Sequence, residues 1–265
     1  MWDFKELEES VLSVSATANT SFKPAKETLL SALMRVCDGS THRPGEVDND
    51  QYHWVLVRLI AHYTHLHAAF PTVSRMLNLA RRPPAKGEEA RDPRIKMLKQ
   101  SFATDPVGAR VLAYHSAQII ALSRWRPIFS PAEGMRLFLA GVVLWGFGNY
   151  YRPRHRSSSA NDEPWNGRSD RGEGDSRATV RLDLLPWLAG ERAEEGAREA
   201  EEWIRAGEKR AMVMGREGMV GVETVEGVKE VLRVVVGVLG SLRVWGLGGE
   251  FRSVLEELGT REGGA

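Results

Sequence analysis

The chain has 265 residues, an apolar share of 42% and a formal charge of +1, with 36 Lys and Arg against 35 Asp and Glu. That length holds one large domain or two small ones, and the apolar share is too rich for a wholly disordered chain. The near-neutral balance excludes a global pull toward nucleic acid, anionic lipid or acidic substrate, and the single cysteine, Cys37, excludes an internal disulfide and a zinc site of several thiolates.

The start, Met1 to Glu9, is charged and lacks the apolar core of a signal peptide. Asp3 with Glu6 reads as an N-cap and capping box for a short first helix. Pro24 suits a first helical turn, so residues 25 to 37 are expected to be helical. Gly39 to Asp50 collects Gly, Pro, Ser, Asn and Asp and reads as a loop.

Residues 51 to 70 carry Tyr52, Val55, Leu59, Tyr63, Leu66 and Phe70 at three- and four-residue steps, which stacks them on one helical face. Pro71 opens a further helix through Ala80. Arg81 to Pro93 is charged, holds three prolines and reads as an exposed connector. Thr104-Asp105-Pro106 and Ser130-Pro131-Ala132-Glu133 are two helix starts that together predict an α-helical hairpin. In the second of these helices the apolar residues from Leu137 to Phe147 surround the axis instead of lining a stripe, which places it at the centre of a core. This run is too short to span a membrane, which takes roughly 20 residues.

Arg152 to Arg177 is polar and charged, with Trp165 its lone aromatic, and is expected to be a disordered insertion. Glu191 to Lys209 reads as a charged helix, and the glycine-rich Met212 to Gly221 as a loop. Val225, Val228, Leu232, Val235, Leu239 and Leu242 repeat in alternating three- and four-residue steps, a seam of about two and a half heptads. It could join two copies or close the chain's own core. Glu250 to Leu258 supplies a last helix with Phe251, Leu255 and Leu258 inward. The expected fold is all-α, an irregular multi-helix bundle. Its parts are an N-terminal helical segment and loop (1–50), a helical core (51–151), a disordered linker (152–178), a C-terminal helical part of the same domain (179–258) and a disordered tail (259–265).

Candidate chemistry is sparse. His62, His65 and His67 invite a metal, which zinc would hold with three or four converging ligands. On a helix, His62 and His65 lie about 60° apart and His67 roughly 160° from His65, so one ion cannot easily collect all three. His115 and Gln118 sit one turn apart and could position a ligand, although such pairs are more often satisfied polar insertions in a core. Cys37 has Arg35 and His42 nearby but no positioned base, so it reads as structural. Arg152, Arg154 and Arg156 beside Tyr150 and Tyr151 could bind phosphate and stack bases, but Asp162 and Glu163 follow and favour a solvated linker. Gly146-Phe147-Gly148 and Gly246-Leu247-Gly248-Gly249 do not match a dinucleotide loop and read as helix terminators, although Ala140, Gly141, Gly146 and Gly148 could also let neighbouring backbones approach closely. No residue is assigned a catalytic, cofactor-binding or metal-binding role.

The order of these segments resembles the large helical regulatory region of fungal transcription factors, the middle homology or xylanolytic-activator-like domain, of the type that accompanies two-Cys-two-His zinc fingers. Tyr52-His53-Trp54 through His62-Tyr63-Thr64-His65 to Asn78-Leu79-Ala80-Arg81 is similar to its apolar helix and following helical unit. Ala109-Arg110 through His115-Ser116-Ala117-Gln118-Ile119 looks like its "A-R … H-A-x-Q-I" helix, and Val143-Leu144-Trp145 like its "L-V-L-W" helix. Val180-Arg181-Leu182-Asp183, Trp203-Ile204-Arg205, Leu242 to Gly248 and Phe251 fit its tail.

The resemblance covers roughly residues 50 to 258 and implies a non-catalytic, nuclear module in RNA polymerase II transcription. Zinc and DNA contact would belong to a finger module absent here, since one cysteine cannot build one. Protein partners or self-association are expected, and no membrane. The alternatives are a helical interaction scaffold that dimerises through Val225 to Leu242, or a metal-dependent hydrolase using His62 and His65.

Overall fold

The structure is a computed structural model, and it describes residues 28, 31–32, 48–85, 87–152, 178–185, 193–242 and 247–260. The expected capping box at Asp3 and Glu6, Cys37 with Arg35 and His42, Arg154, Arg156 and the body of the expected insertion (153–177) lie outside these residues. Within the helix expected over 25 to 37, Thr28, Ser31 and Ala32 are described and helical.

Eight α-helices and a three-stranded sheet make up the described residues. They are α1 (Asp48–Ala68), α2 (Phe70–Arg81), α3 (Pro93–Thr104), α4 (Pro106–Trp125), α5 (Pro131–Tyr150), β1 (Thr179–Arg181), α6 (Ala193–Ala206), β2 (Arg210–Met214), β3 (Met219–Gly221), α7 (Val225–Ser241) and α8 (Leu247–Thr260). A single 3₁₀ turn, Glu89–Arg91, lies in the exposed connector before α3. Helix accounts for 75% of the interpretable residues, so the fold is all-α with a small sheet attached.

The chain divides into two compact units, residues 1–64 and 65–265. In the first, the Arg58 guanidinium lies over the Trp54 ring at 4.3 Å, and Val55, Leu59 and Ala61 are buried. The second unit holds the hairpin. The same local chemistry starts three of its helices, an Asp or Ser followed by proline. Asp92 accepts the Arg94 N–H ahead of α3, Asp105 that of Gly108 ahead of α4 and Ser130 that of Glu133 ahead of α5. Each side chain satisfies one of the orphan N–H groups of a first turn, and the proline occupies a position with no N–H to lose. The Asp92-Pro93 start of α3 carried this signal inside the stretch read as a connector.

Helix α5 is the centre of the second unit. It packs against α2, α3, α4, α7 and α8, and Leu137, Ala140, Val142, Val143, Leu144, Trp145 and Phe147 are all buried. The expectation drawn from its all-round apolar character is met. Gly146-Phe147-Gly148 does not terminate it; the helix runs on to Tyr150. These glycines are there for spacing. A Cβ on Gly148 would collide with the Val228 side chain of α7 and lie 2.5 Å from the Val222 carbonyl oxygen. One on Gly146 would meet the flexible Met76 side chain at 2.9 Å. The second glycine motif is likewise not a terminator, because Gly248 and Gly249 sit in the first turn of α8.

The heptad seam closes the chain's own core. Val228, Leu232, Val235, Leu239 and Leu242 are buried, as are Val231 and Val234 on a neighbouring face, and α7 packs against α5 and α8. Across α5 and α8, Phe138 stacks on Phe251 at 4.5 Å. The last helix also takes in Gly259 and Thr260, expected in the tail, and α1 begins at Asp48, within the expected loop.

Met212 to Gly221 is not a loop. β2 and β3 form an antiparallel hairpin with Met212 opposite Gly221, while β1 runs parallel to β2 with Val180 opposite Ala211. The parallel pair is joined through α6, a βαβ unit of very short strands. Glycine does make the turn, where the Gly215 N–H donates to the Gly218 carbonyl, but the flanking Met-Val-Met and Met-Val-Gly residues alternate and pair.

Gly148→Ala is expected to lower stability by about 2 to 3 kcal/mol through overpacking against Val228 and Val222, and Gly146→Ala by less. Gly249→Ala, where nothing lies within 4 Å of the added carbon, is expected to raise it by up to about 1 kcal/mol through helix propensity. Urea unfolding of the three variants checks the order.

Candidate functional site

The residues singled out from the sequence divide between α1, α4 and the end of α5. On α4, Gln118 is buried and its Nε2 donates to the carbonyl oxygens of Leu182 at 2.6 Å and Leu184 at 3.0 Å. These carbonyls belong to the extended chain after β1, where no strand partner reaches them on that side. Gln118 is thus a buried amide that completes a backbone account. Asp183 continues the job on the sheet: it accepts the Met214 N–H at 2.8 Å and the Arg181 Nε–H at 2.8 Å. Arg124, further along α4, donates to the Met214 carbonyl at 2.6 Å.

Arg110, at the other end of α4, is 5% exposed. Its Nε donates to the Ile204 carbonyl at 2.8 Å and Nη2 to the Arg205 carbonyl at 2.9 Å, the last carbonyls of α6. Nη1 donates to the Tyr151 hydroxyl at 2.7 Å. A cation at a helix C-terminus is favoured by the aligned peptide dipoles. Gly207 ends α6 with φ +72, its N–H on the Trp203 carbonyl, and a side chain there would come within 2.6 Å of Arg110. The glycine is required both by its left-handed backbone and by the guanidinium above it.

His115 is buried and its ring stacks on His65 at 3.8 Å and 14°. Burial pulls the His65 pKa from 6.5 down to about 4, and its Nε2 has no hydrogen-bond partner. Neutral rings stack without a charge penalty, and the low pKa keeps His65 neutral at physiological pH. Among the described residues no group of three His, Cys, Asp or Glu is placed to hold a metal ion. His115 and Gln118 do not converge on a shared ligand position, since one is spent on a ring and the other on carbonyls.

Glu133 was read from the sequence only as part of a helix start. It is fully buried, and its Oε2 accepts the N–H groups of Ile128 at 2.7 Å and Phe129 at 2.8 Å. Phe129 has φ +59, an unfavourable backbone for a side-chain-bearing residue. The carboxylate holds that turn in place, and burial pushes its pKa up.

A cavity of about 510 Å³ opens beside Arg110. Its walls come from α3, the start of α4, the end of α5 and the end of α6. Lys99, Arg110, Arg152 and Arg205 line it, with Phe102, Tyr150 and Tyr151, and no carboxylate is among the described lining residues. Of the basic and aromatic run read as the start of a solvated linker, Tyr150, Tyr151 and Arg152 meet three cations distant in sequence at this cavity. Tyr151 offers no base-stacking surface, because it is buried, lies flat against Phe147 at 4.4 Å and accepts from Arg110. No sequence pattern announced Lys99, Arg110 and Arg205 as neighbours.

No described helix is long and apolar enough to cross a membrane. Comparison with protein-family models, curated proteins and solved structures gives no match.

Gln118→Leu is expected to cost about 3 kcal/mol, because it strands two buried carbonyls, and thermal unfolding measures it. His65 binds a proton in the unfolded chain below 6.5 but in the folded chain only below about 4. Its contribution is therefore present above 6.5 and lost as pH falls through that window. The full shift corresponds to about 3 kcal/mol, which partial exposure reduces to about 2 kcal/mol. His65→Phe is expected to flatten this part of the stability–pH curve in a urea titration.

Proposed function

We propose that the chain is a non-catalytic regulatory module of the kind that accompanies zinc fingers in fungal transcription factors, acting in RNA polymerase II transcription when joined to a DNA-binding module, in the nucleus. The segment order from Tyr52 to Phe251 supports it. The observation that carries it is how the candidate polar residues are used. Gln118 and Glu133 bond backbone, Arg110 caps α6 and reaches Tyr151, and His115 stacks on His65. Each is spent on holding segments together, and no nucleophile with an adjacent base is placed among them. Zinc would belong to the finger module of relatives.

A metal-dependent hydrolase through His62 and His65 finds less support, because among the described residues no group of three His, Cys, Asp or Glu is placed to hold a metal ion. Self-association remains compatible with the module reading, although the Val228 to Leu242 seam is buried within the chain.

Fused to a heterologous DNA-binding domain in yeast, the chain is expected to change reporter transcription relative to that domain alone. Identical output from both would count against the proposal. So would substrate turnover that disappears on replacing His62 or His115 in a protein that still folds.

A further inference from the structure

We infer that the cavity beside Arg110 binds a small organic phosphate: a phosphate monoester on a flat ring, of about mononucleotide size. The inference stands apart from the transcriptional reading, because it rests on the cavity alone. The volume, about 510 Å³, falls in the range of small-molecule sites, roughly 300–1,000 Å³.

The charge is the main argument. Lys99 comes from α3, Arg110 from α4, Arg205 from α6 and Arg152 from the chain after α5. A solvated charged face lies on one element; here four separate elements each bring a cation to one concave space. In a chain with 36 basic and 35 acidic residues, four cations without a carboxylate among the described lining residues concentrate positive potential.

Arg110 sharpens the point. It is 5% exposed, and its three hydrogen bonds go to two carbonyls and a hydroxyl, none with a formal charge. A guanidinium has five N–H donors, and these bonds use three of them. A buried cation hydrogen-bonded only to neutral groups is costly, and an anion bound beside it offsets that cost. The mobile Lys99 and Arg205 side chains can close on a dianion, for which arginine's fork geometry is suited. The half-buried Tyr150 gives the aromatic surface against which a ring would lie.

Calorimetric titration of the full chain with AMP, flavin mononucleotide and 4-nitrophenyl phosphate tests this, with adenosine and inorganic phosphate as partial ligands. At least one ester is expected to bind more tightly than either partial ligand, and more weakly as salt rises. Lys99→Glu and Arg205→Glu alter exposed side chains and are each expected to weaken it by about tenfold, the loss of one close charge contact. Lys96→Glu, on the same helix but outside the lining, is expected to leave it unchanged, with circular dichroism reporting that all three variants fold. Absence of binding by all three esters at millimolar concentration, binding indifferent to both lining substitutions, or inorganic phosphate binding as tightly as the esters would overturn the assignment.

Discussion

Buried backbone has to be paired, and in this protein one helix does much of the pairing for segments far away in the chain. The short strands β1 to β3 cannot satisfy the carbonyls of Leu182 and Leu184, and α6 ends with carbonyls that its own ladder leaves open. Gln118 and Arg110, eight residues apart on α4, answer both needs. The sheet and α6 are thereby tied to the same helix by polar side chains as well as by apolar burial. An amide and a guanidinium in a core are costly unless matched; here their partners are groups that would otherwise be the costly ones.

The second constraint is space. Helix α5 packs against five other helices, and from Leu139 to Gly148 every residue is buried, so bulk there has to be matched to a neighbour. Glycine at 148 lets α7 and the turn before it lie against the α5 backbone, with Val222 and Val228 filling the room a side chain would take. Larger apolar residues then fill the places between glycines: Phe147 reaches Tyr151 and Trp203, and Trp145 reaches Tyr150. The result is a dense apolar centre around α5.

The same arrangement explains why a cavity forms where it does. Arg110 ties the end of α6 to the first turns of α4, and the space beside this junction is lined by residues of α3, the start of α4 and the ends of α5 and α6. Helix ends are also where side chains such as Lys99, Arg152 and Arg205 emerge toward solvent. A structural device, the capping of α6 by a buried cation, therefore creates the electrostatic setting of the cavity next to it. The bonds that hold α6 and the charge that faces the cavity thus share one residue, Arg110.

How far the fold could be read from the chain depended on whether the signal was local. The all-α class, the starts of α4 and α5 at Asp105-Pro106 and Ser130-Pro131, the central place of α5 and the apolar seam of α7 followed from periodicity and from first-turn chemistry, because capping and one-sided burial involve residues within a turn or two of one another. The same D-P signal at Asp92 was obscured by its charged surroundings. The βαβ unit escaped, since strands of three to five residues between glycines look like a loop until a partner pairs with them. Glycines 146 and 148 could be read as stops, because glycine costs a helix about 1 kcal/mol, or as places of close approach, and the neighbours lying against them decide for the second. The cavity is the extreme case. Its cations are far apart in sequence and unremarkable one by one, and it is the packing of helix ends, a long-range matter of shape, that puts them around a single space.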